Sequence, residues 1–505
     1  MKTKRLTALI LTLVLTLGIL PFAMSAATRP VTTTSTASIT VENALPNDQL
    51  SAYKVVDIAY NSANNTLTYS WNSAFADFFA GSTSYNSTAY TVDDFAKLTD
   101  DSKDLKDLLS KLPKYIADRS IDAVKTATVS EAGTAVFSDL AMGEYFIRPT
   151  STTSVYQLML QKIEPKVENI GGKDTYVIDD VTFTAKKEEV NITKEADKTS
   201  VTKNEKVVYT ITVDIPTYSD NATDKSFSVY DILPDGLTIN ASSITVKRAG
   251  TDITNRAGTE FTLDGENTSA EPYYTFKISV DTDQYAAYWS AFGGQKLVIT
   301  YTATLKDDDT TEVNVAETNT ATFDYSFYPY VNNSHHQKTA TVSVTTFAIK
   351  INKFVDGKPD TKLAEAKFDL YRTATQEEID KGVAIDIPHT DIKGIKLEGD
   401  KITNADGVTV FEKYEANADK YDYYLVETAA PSGYNILDNA VKVNFTDADV
   451  ANKEGIFTVN VSNSSGIKLP VTGGTGTVIF TVIGIVLMAG AVLLFVFARK
   501  KNGAK

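Results

Sequence analysis

The sequence predicts a mainly β protein: three tandem immunoglobulin-like β-sandwich domains, the first with a helical insertion, followed by a C-terminal transmembrane helix. Three observations carry this. Short runs alternate apolar and polar residues with period two, as at Val207, Tyr209, Ile211 and Val213 or at Leu297, Ile299 and Tyr301, the pattern of half-buried antiparallel strands. The composition suits a pleated surface, with 26 Tyr and many Thr and Val against 14 Pro. The two ends of the chain each hold an uncharged apolar stretch unlike anything between them.

In chain order, residues 1–27 open with Lys2, Lys4 and Arg5, continue with an apolar run from Leu6 to Phe22, and close on Ala23-Met24-Ser25-Ala26-Ala27. That arrangement is a secretory signal peptide, cut after Ser25 or after Ala27, since either leaves small residues at the two selective positions. The remaining ectodomain of about 440 residues is enough for three domains of ordinary size. Residues 28–185 begin with a polar stretch and strand signals at Ser38–Val41 and Leu50–Ile58. Helical spacing then appears in Trp71–Phe79 and Val92–Val124, through Phe95, Leu98, Leu105, Leu108, Leu109 and Leu112. Strands return at Thr134–Phe137 and Gly143–Ile147. Residues 186–345 show almost no helix signal, and turns such as Pro234-Asp235-Gly236 and Asp264-Gly265 separate alternating runs. Residues 346–468 run from Phe347–Lys353 to Phe457–Asn463, all β apart from a short helix at Thr375–Lys381. Residues 469–505 form the ending.

Charge and composition exclude several functions. A net charge of −15 argues against nucleic acid or an anionic membrane surface as partner. There are no cysteines, although an exported chain is free to form disulfides, so any covalent stiffening has another source. With three His in the chain, hydrolase triads have little to draw on, and no turnover enzyme and no cofactor are expected. His335-His336 with Asp307-Asp308-Asp309 is the nearest thing to a metal set, but adjacent His point apart in a strand and acidic runs are usually solvated, so no metal is expected.

The ending reads Leu469-Pro470-Val471-Thr472-Gly473, then an uncharged run from Val478 to Ala498, then Arg499-Lys500-Lys501. About twenty apolar residues cross about 30 Å of hydrocarbon as a helix. The basic cluster stays in the cytoplasm, leaving the upstream chain outside. The pentapeptide resembles the LPxTG sorting signal of Gram-positive surface proteins, with motif, span and basic tail in that family's order. The resemblance implies that a sortase cuts between Thr472 and Gly473, holds the Thr carbonyl as a thioester and passes it to an amine.

Each of the last two domains has a Lys in its first strand and an Asn in its last: Lys194 with Asn319, and Lys353 with Asn463. The third also contains Tyr424-Leu425-Val426-Glu427-Thr428-Ala429-Ala430-Pro431-Ser432-Gly433-Tyr434, which resembles the E-box of Gram-positive pilins at every fixed position. The resemblance implies a B-type domain in which Glu427 promotes an amide bond between Lys353 and Asn463, expelling ammonia. The segment Val229–Leu237 resembles the acid-bearing strand of the collagen-adhesin A-type pilin domain, which makes Asp231 the acid for Lys194 and Asn319. The acid lies closer behind its Lys here than in the third domain, which suggests two sandwich topologies. The chemistry is sound: burial lowers a Lys pKa and raises a carboxyl pKa, so a neutral amine and a protonated acid coexist. The amine is then a nucleophile, and the acid polarises the Asn carbonyl and shuttles protons. In the first domain, Asn43 stands where a first-strand Lys would be and Arg148 where the acid would be, so no internal bond is expected.

Leu158–Asn169, around Pro165-Lys166, resembles the pilin motif, although Glu164 replaces the aromatic before Pro. Pro165 keeps the segment extended and presents Lys166 at an edge. The resemblance implies that Lys166, with Lys162 as runner-up, attacks the Thr472 thioester of the next subunit. The whole pattern resembles the backbone subunit of a sortase-polymerised pilus (fimbrium). Its implied partners are pilus-type and housekeeping sortases, copies of itself, accessory pilins, peptidoglycan and a host ligand. Its implied place is the cell wall, reached through a membrane-bound precursor. The alternative is a monomeric wall-anchored adhesin that binds a host ligand.

Overall fold

The computed structural model describes residues 29–99, 102–281, 284–285, 289–307, 316–415, 421–444, 455–466 and 475–502. The signal peptide and Leu469–Gly473 lie outside these residues. The chain divides into two compact units. One comprises Met1–Lys198, Lys206–Thr304 and Glu317–Ser343, the other Thr199–Glu205, Leu305–Ala316 and Val344–Lys505.

The first unit starts with a sandwich. One sheet orders Thr66–Trp71, Gln49–Asn61, Gly143–Ser151 and Met159–Ile163; the other orders Val181–Thr184, Thr36–Glu42 and Ala135–Ala141. Alternation sets the faces: Ala37, Ile39 and Val41 are buried in one core with Val55, Phe137 and Phe146. The insertion expected from helical spacing forms Ala76–Phe79, Val92–Phe95 and Lys103–Arg119. The last begins at Ser102, whose side chain accepts the Leu105 N–H, and ends at Ser120 in a left-handed conformation. Leu105, Leu108, Leu109, Leu112 and Ile116 bury one face of it, enough to retain Pro113 inside the helix despite the donor it lacks.

A small sheet orders Arg29–Pro30, Lys173–Ile178 and Lys166–Ile170, so the Lys166 strand is an edge. Pairing with the N-terminal strands continues through Lys187–Glu189, which lies antiparallel to Ser154–Tyr156.

The middle sandwich has two five-stranded sheets. The first orders Ile192–Ala196, Lys206–Asp214, Lys296–Leu305, Leu237–Arg248 and Thr251–Asp252. The second orders Thr262–Asp264, Phe276–Asp281, Ser226–Ile232, Glu317–Ser326 and His335–Val344. Rings meet across the core, Phe276 standing edge-on to Tyr301 at 5.1 Å. Asn319 therefore sits in the penultimate strand, not the last, and in the sheet opposite Lys194.

In the second unit, Phe347–Val355 pairs antiparallel with Val408–Tyr414 and parallel with Ile456–Asn463. The facing sheet orders Ile385–Asp386, Lys393–Ile402, Lys367–Thr373, Tyr423–Ala429 and Val441–Val443. Ile349, Ile351, Phe368, Leu370, Phe411, Leu425 and Val461 fill the core between them. The short helix is Gln376–Asp380, opened by a capping box between Thr375 and Glu378. The C-terminal helix runs Thr475–Asn502, and its Phe480–Phe497 stretch has mean hydropathy 2.8 and no buried residue. A helix of that length and exposed apolar surface fits a bilayer.

Candidate functional site

In the middle sandwich the alternation that buries Tyr209 and Ile211 also turns Lys194 inward from the neighbouring strand. The Lys194 and Asp231 side chains are both 0% exposed and in direct contact, Nζ donating to Oδ2. Lys194 Nζ lies 5.3 Å from the centroids of both the Tyr209 and Tyr301 rings, which stack on each other at 5.4 Å. The Tyr301 hydroxyl accepts from Lys194 Nζ at 3.0 Å and from Asn319 Nδ2 at 2.6 Å, and donates to Asp231 Oδ1 at 2.8 Å. Among the described residues Asn319 Oδ1 has no hydrogen-bond partner. Burial pushes the Lys194 amine down, against the pull of Asp231, and pushes the Asp231 carboxyl up, against Lys194. Each shift favours the neutral form. Sequence reasoning placed Tyr301 on the inward face but gave it no role; an aromatic at an inward strand position is ordinarily core.

In the C-terminal sandwich, Lys353 and Asn463 come from adjacent parallel strands. Lys353 pairs with Val461, two residues before Asn463, so the two side chains share the inner face. Glu427 reaches them from the opposite sheet, where it pairs with Phe368. Lys353 Nζ stands 3.6 Å from Glu427 Oε1, with both side chains 0% exposed. Asn463 Nδ2 donates to Glu427 Oε2 at 2.8 Å and to the Asn435 carbonyl. Among the described residues Lys353 Nζ, Glu427 Oε1 and Asn463 Oδ1 have no hydrogen-bond partner. Burial lowers the Lys353 pKa to about 8 despite the nearby carboxylate. The rest of the E-box builds the wall. Tyr434 N–H bonds the Pro431 carbonyl across a turn with Gly433 at φ +86, the left-handed position that a type II turn requires. The loop then brings the Leu437 N–H to 2.9 Å from Glu427 Oε2. In both domains the acid system meets the amide nitrogen, whereas the sequence reading had the acid polarise the carbonyl.

The first domain offers a contrast. Asn43 falls just past its strand in a left-handed turn, donating to the Ala185 carbonyl at 3.0 Å, and the Arg148 guanidinium lies 5.5 Å from the Tyr53 ring centroid. Lys54, Asp57 and Asn72 do meet, Asp57 bridging the amine at 2.7 Å and the amide at 3.1 Å. The Asp57 side chain is 38% exposed, however, whereas the Lys194–Asp231 and Lys353–Glu427 side chains are 0% exposed.

Lys166 begins its edge strand after a buried Pro165. Its side chain is 57% exposed and its Nζ lies 2.6 Å from Asp179 and 3.0 Å from Glu168, the two carboxylates that raise its pKa. Lys162 is less open, at 32%, paired with Glu164 at 2.8 Å and set over the Tyr69 ring.

His335 does not join Asp307. It sits between Asp324, 2.5 Å from Nδ1, and Asp224, 3.2 Å from Nε2, with Ser226 and Gln337 completing the group. Asp224 and then Asp324 raise its pKa to about 9. A folded pKa above the unfolded value gives stability that is complete below about pH 6.5 and is lost as pH rises through about 9. We expect melting at pH 10 to fall relative to pH 7 by roughly 1 kcal/mol, discounted for partial exposure, and His335→Gln to remove that difference. Scanning calorimetry at the two pH values checks it.

Comparisons with known proteins agree with this architecture. Residues 461–503 match the LPXTG cell wall anchor motif, and residues 347–463 match the SpaA prealbumin-like fold domain. The type 1 fimbrial subunit of Actinomyces viscosus is 25% identical over 445 residues, 80% of this chain and 82% of that one. Among solved structures, the T6 backbone pilin of serotype M6 Streptococcus pyogenes aligns with TM-score 0.56 at 17% identity, over 82% of this chain and 81% of its own. The full-length major pilin SpaD of Corynebacterium diphtheriae aligns with TM-score 0.53 at 17% identity, over 86% and 99%. Fold and anchor define a cell-wall-anchored surface protein of tandem β-sandwiches with a membrane-bound precursor. The anchor motif, the SpaA-type domain, the fimbrial relative and the pilin-fold neighbours together support a sortase-assembled backbone pilin.

Proposed function

We propose that this backbone subunit, a structural protein, is joined through the Thr472 carbonyl to Lys166 Nζ of its neighbour. Within each subunit, Lys194 joins Asn319 and Lys353 joins Asn463, with Asp231 and Glu427 as the acids. The observation that carries the internal bonds is the buried Lys353 amine 3.6 Å from Glu427, whose other oxygen holds the Asn463 amide. In each cluster the Lys gives a proton to the acid and its neutral nitrogen attacks the Asn Cγ. The acid's proton passes to Nδ2 and the proton left over on Nζ passes to the acid, so that the C–Nδ2 bond breaks, ammonia leaves and a neutral amide remains. Fixed proximity supplies much of the rate. Each site reacts once.

The domains would be 28–185, 186–345 and 346–468, with the signal peptide at 1–27 and the sorting signal at 469–505. A pilus-type sortase would make the polymer and a housekeeping sortase would attach it to peptidoglycan, with accessory pilins and a host ligand as further partners. Immunoblotting of wall extract tests the polymer: a high-mass ladder supports it, and a single band supports the anchored adhesin. Removing residues 478–505 should release the protein into the medium, because nothing then holds the motif at the membrane for the sortase. Normal retention in the wall would count against a sorting role.

A further inference from the structure

We propose that Tyr301 is a catalytic residue of the middle domain's bond, its hydroxyl relaying a proton from Asp231 to the departing nitrogen of Asn319. The inference rests on the reading of Lys194 and Asn319 as a bond-forming pair. Glu427 touches the amide nitrogen of Asn463 directly, at 2.8 Å. Asp231 is one methylene shorter and is badly placed to do the same. It pairs with Ala321, so Asn319 is its diagonal neighbour on the same sheet face, about 7–8 Å away at Cα. Tyr301 enters from the facing sheet and fills that gap: one hydroxyl touches the amine, the acid and the amide at 3.0, 2.8 and 2.6 Å.

The protons balance. Lys194 first passes one proton to Asp231, leaving a neutral amine. Nζ attacks the Asn319 Cγ and a C–N bond forms, leaving Nζ with an extra proton and the former carbonyl oxygen negative. The Asp231 proton moves to the Tyr301 oxygen while the hydroxyl's own proton moves to Nδ2, now pyramidal and basic. Nζ returns a proton to Asp231, the carbonyl re-forms, the C–Nδ2 bond breaks and ammonia leaves. Tyr301 ends as the neutral phenol it began as. Burial, which raises its pKa far above the ordinary phenol, disfavours the phenolate, so proton arrival and departure are coupled.

The test follows the full chain made by cell-free synthesis, quenched at intervals and digested, with each cross-linked peptide quantified by mass. The Lys353–Asn463 bond in the same molecules is an internal clock for folding. Tyr301→Phe should slow the Lys194–Asn319 bond by about 10²-fold or more, the scale of a lost proton-transfer group, while the clock runs unchanged. Equal rates of the middle bond in variant and wild type would overturn the relay. If both bonds lag, folding is disturbed, and a ring-fluorinated tyrosine placed at 301 decides. It keeps the shape and hydroxyl but is more acidic, so an altered middle-bond rate supports the relay and an unaltered one overturns it. A wild-type chain that never forms the middle bond removes the underlying reading and the relay with it, an outcome distinct from equal rates.

Discussion

Lys166→Ala should abolish the high-mass ladder in wall extracts while leaving monomer anchored. A sortase needs one accessible amine for each activated carbonyl, and the structure distinguishes the two candidates in reach of the motif. Lys166 opens an edge strand and projects into solvent, whereas Lys162 is half-covered, paired with Glu164 and laid over Tyr69. Asp179 and Glu168 hold Lys166 as an ammonium, so attack on the thioester requires those contacts to be displaced or a proton to be withdrawn. Lys162→Ala should leave the ladder intact. A ladder that survives loss of Lys166 and disappears with Lys162 would reverse the assignment, and one that survives both would favour the anchored adhesin.

The second large effect is on mass and stability together. Each Lys–Asn condensation loses one ammonia, so a soluble 28–468 fragment should weigh about 34 Da less than its sequence. Glu427→Ala and Asp231→Ala should each restore about half of that deficit, because the acids serve separate domains. The solvated Lys54–Asp57–Asn72 contact should add no third loss. Each bond closes a loop on the order of 100 residues, which by analogy with a disulfide stabilises its domain by about 4–5 kcal/mol. The N-terminal domain, without such a bond, should melt first and be the first cut by trypsin. A wild-type fragment at its full calculated mass would sink the cross-linking account.

Legibility in the sequence differed from residue to residue. Lys353, Glu427 and Asn463 could be named because the E-box fixes the acid to the residue, and the first and last strands of the domain supply a Lys and an Asn. The helix Lys103–Arg119 was visible because its leucines recur at helical spacing, and burial of that face outweighs Pro113. Pairing between strands a hundred residues apart was not visible, since register depends on the whole core. Hence Asn319 was assigned to a last strand, although His335–Val344 follows it in the same sheet. Tyr301 was seen as one more inward aromatic. Its role depends on a methylene missing from Asp231 and on the diagonal offset of Asn319, both properties of three strands together.

The parallel pairing of Phe347–Val355 with Ile456–Asn463 has a consequence for load. The chain enters this sandwich at the start of one strand and leaves at the end of its parallel neighbour. A pull on the two termini therefore shears the ladder along its length, with its hydrogen bonds loaded together instead of one after another. With Lys353 bonded to Asn463, the load crosses over before it reaches Phe354 and leaves toward Thr472. The residues from Phe354 to Ser462 carry no tension. Freed and drawn straight, they would extend by on the order of 350 Å, at about 3.3 Å per residue. With that bond formed the slack would be withheld, and this sandwich would bear tension with almost no lengthening.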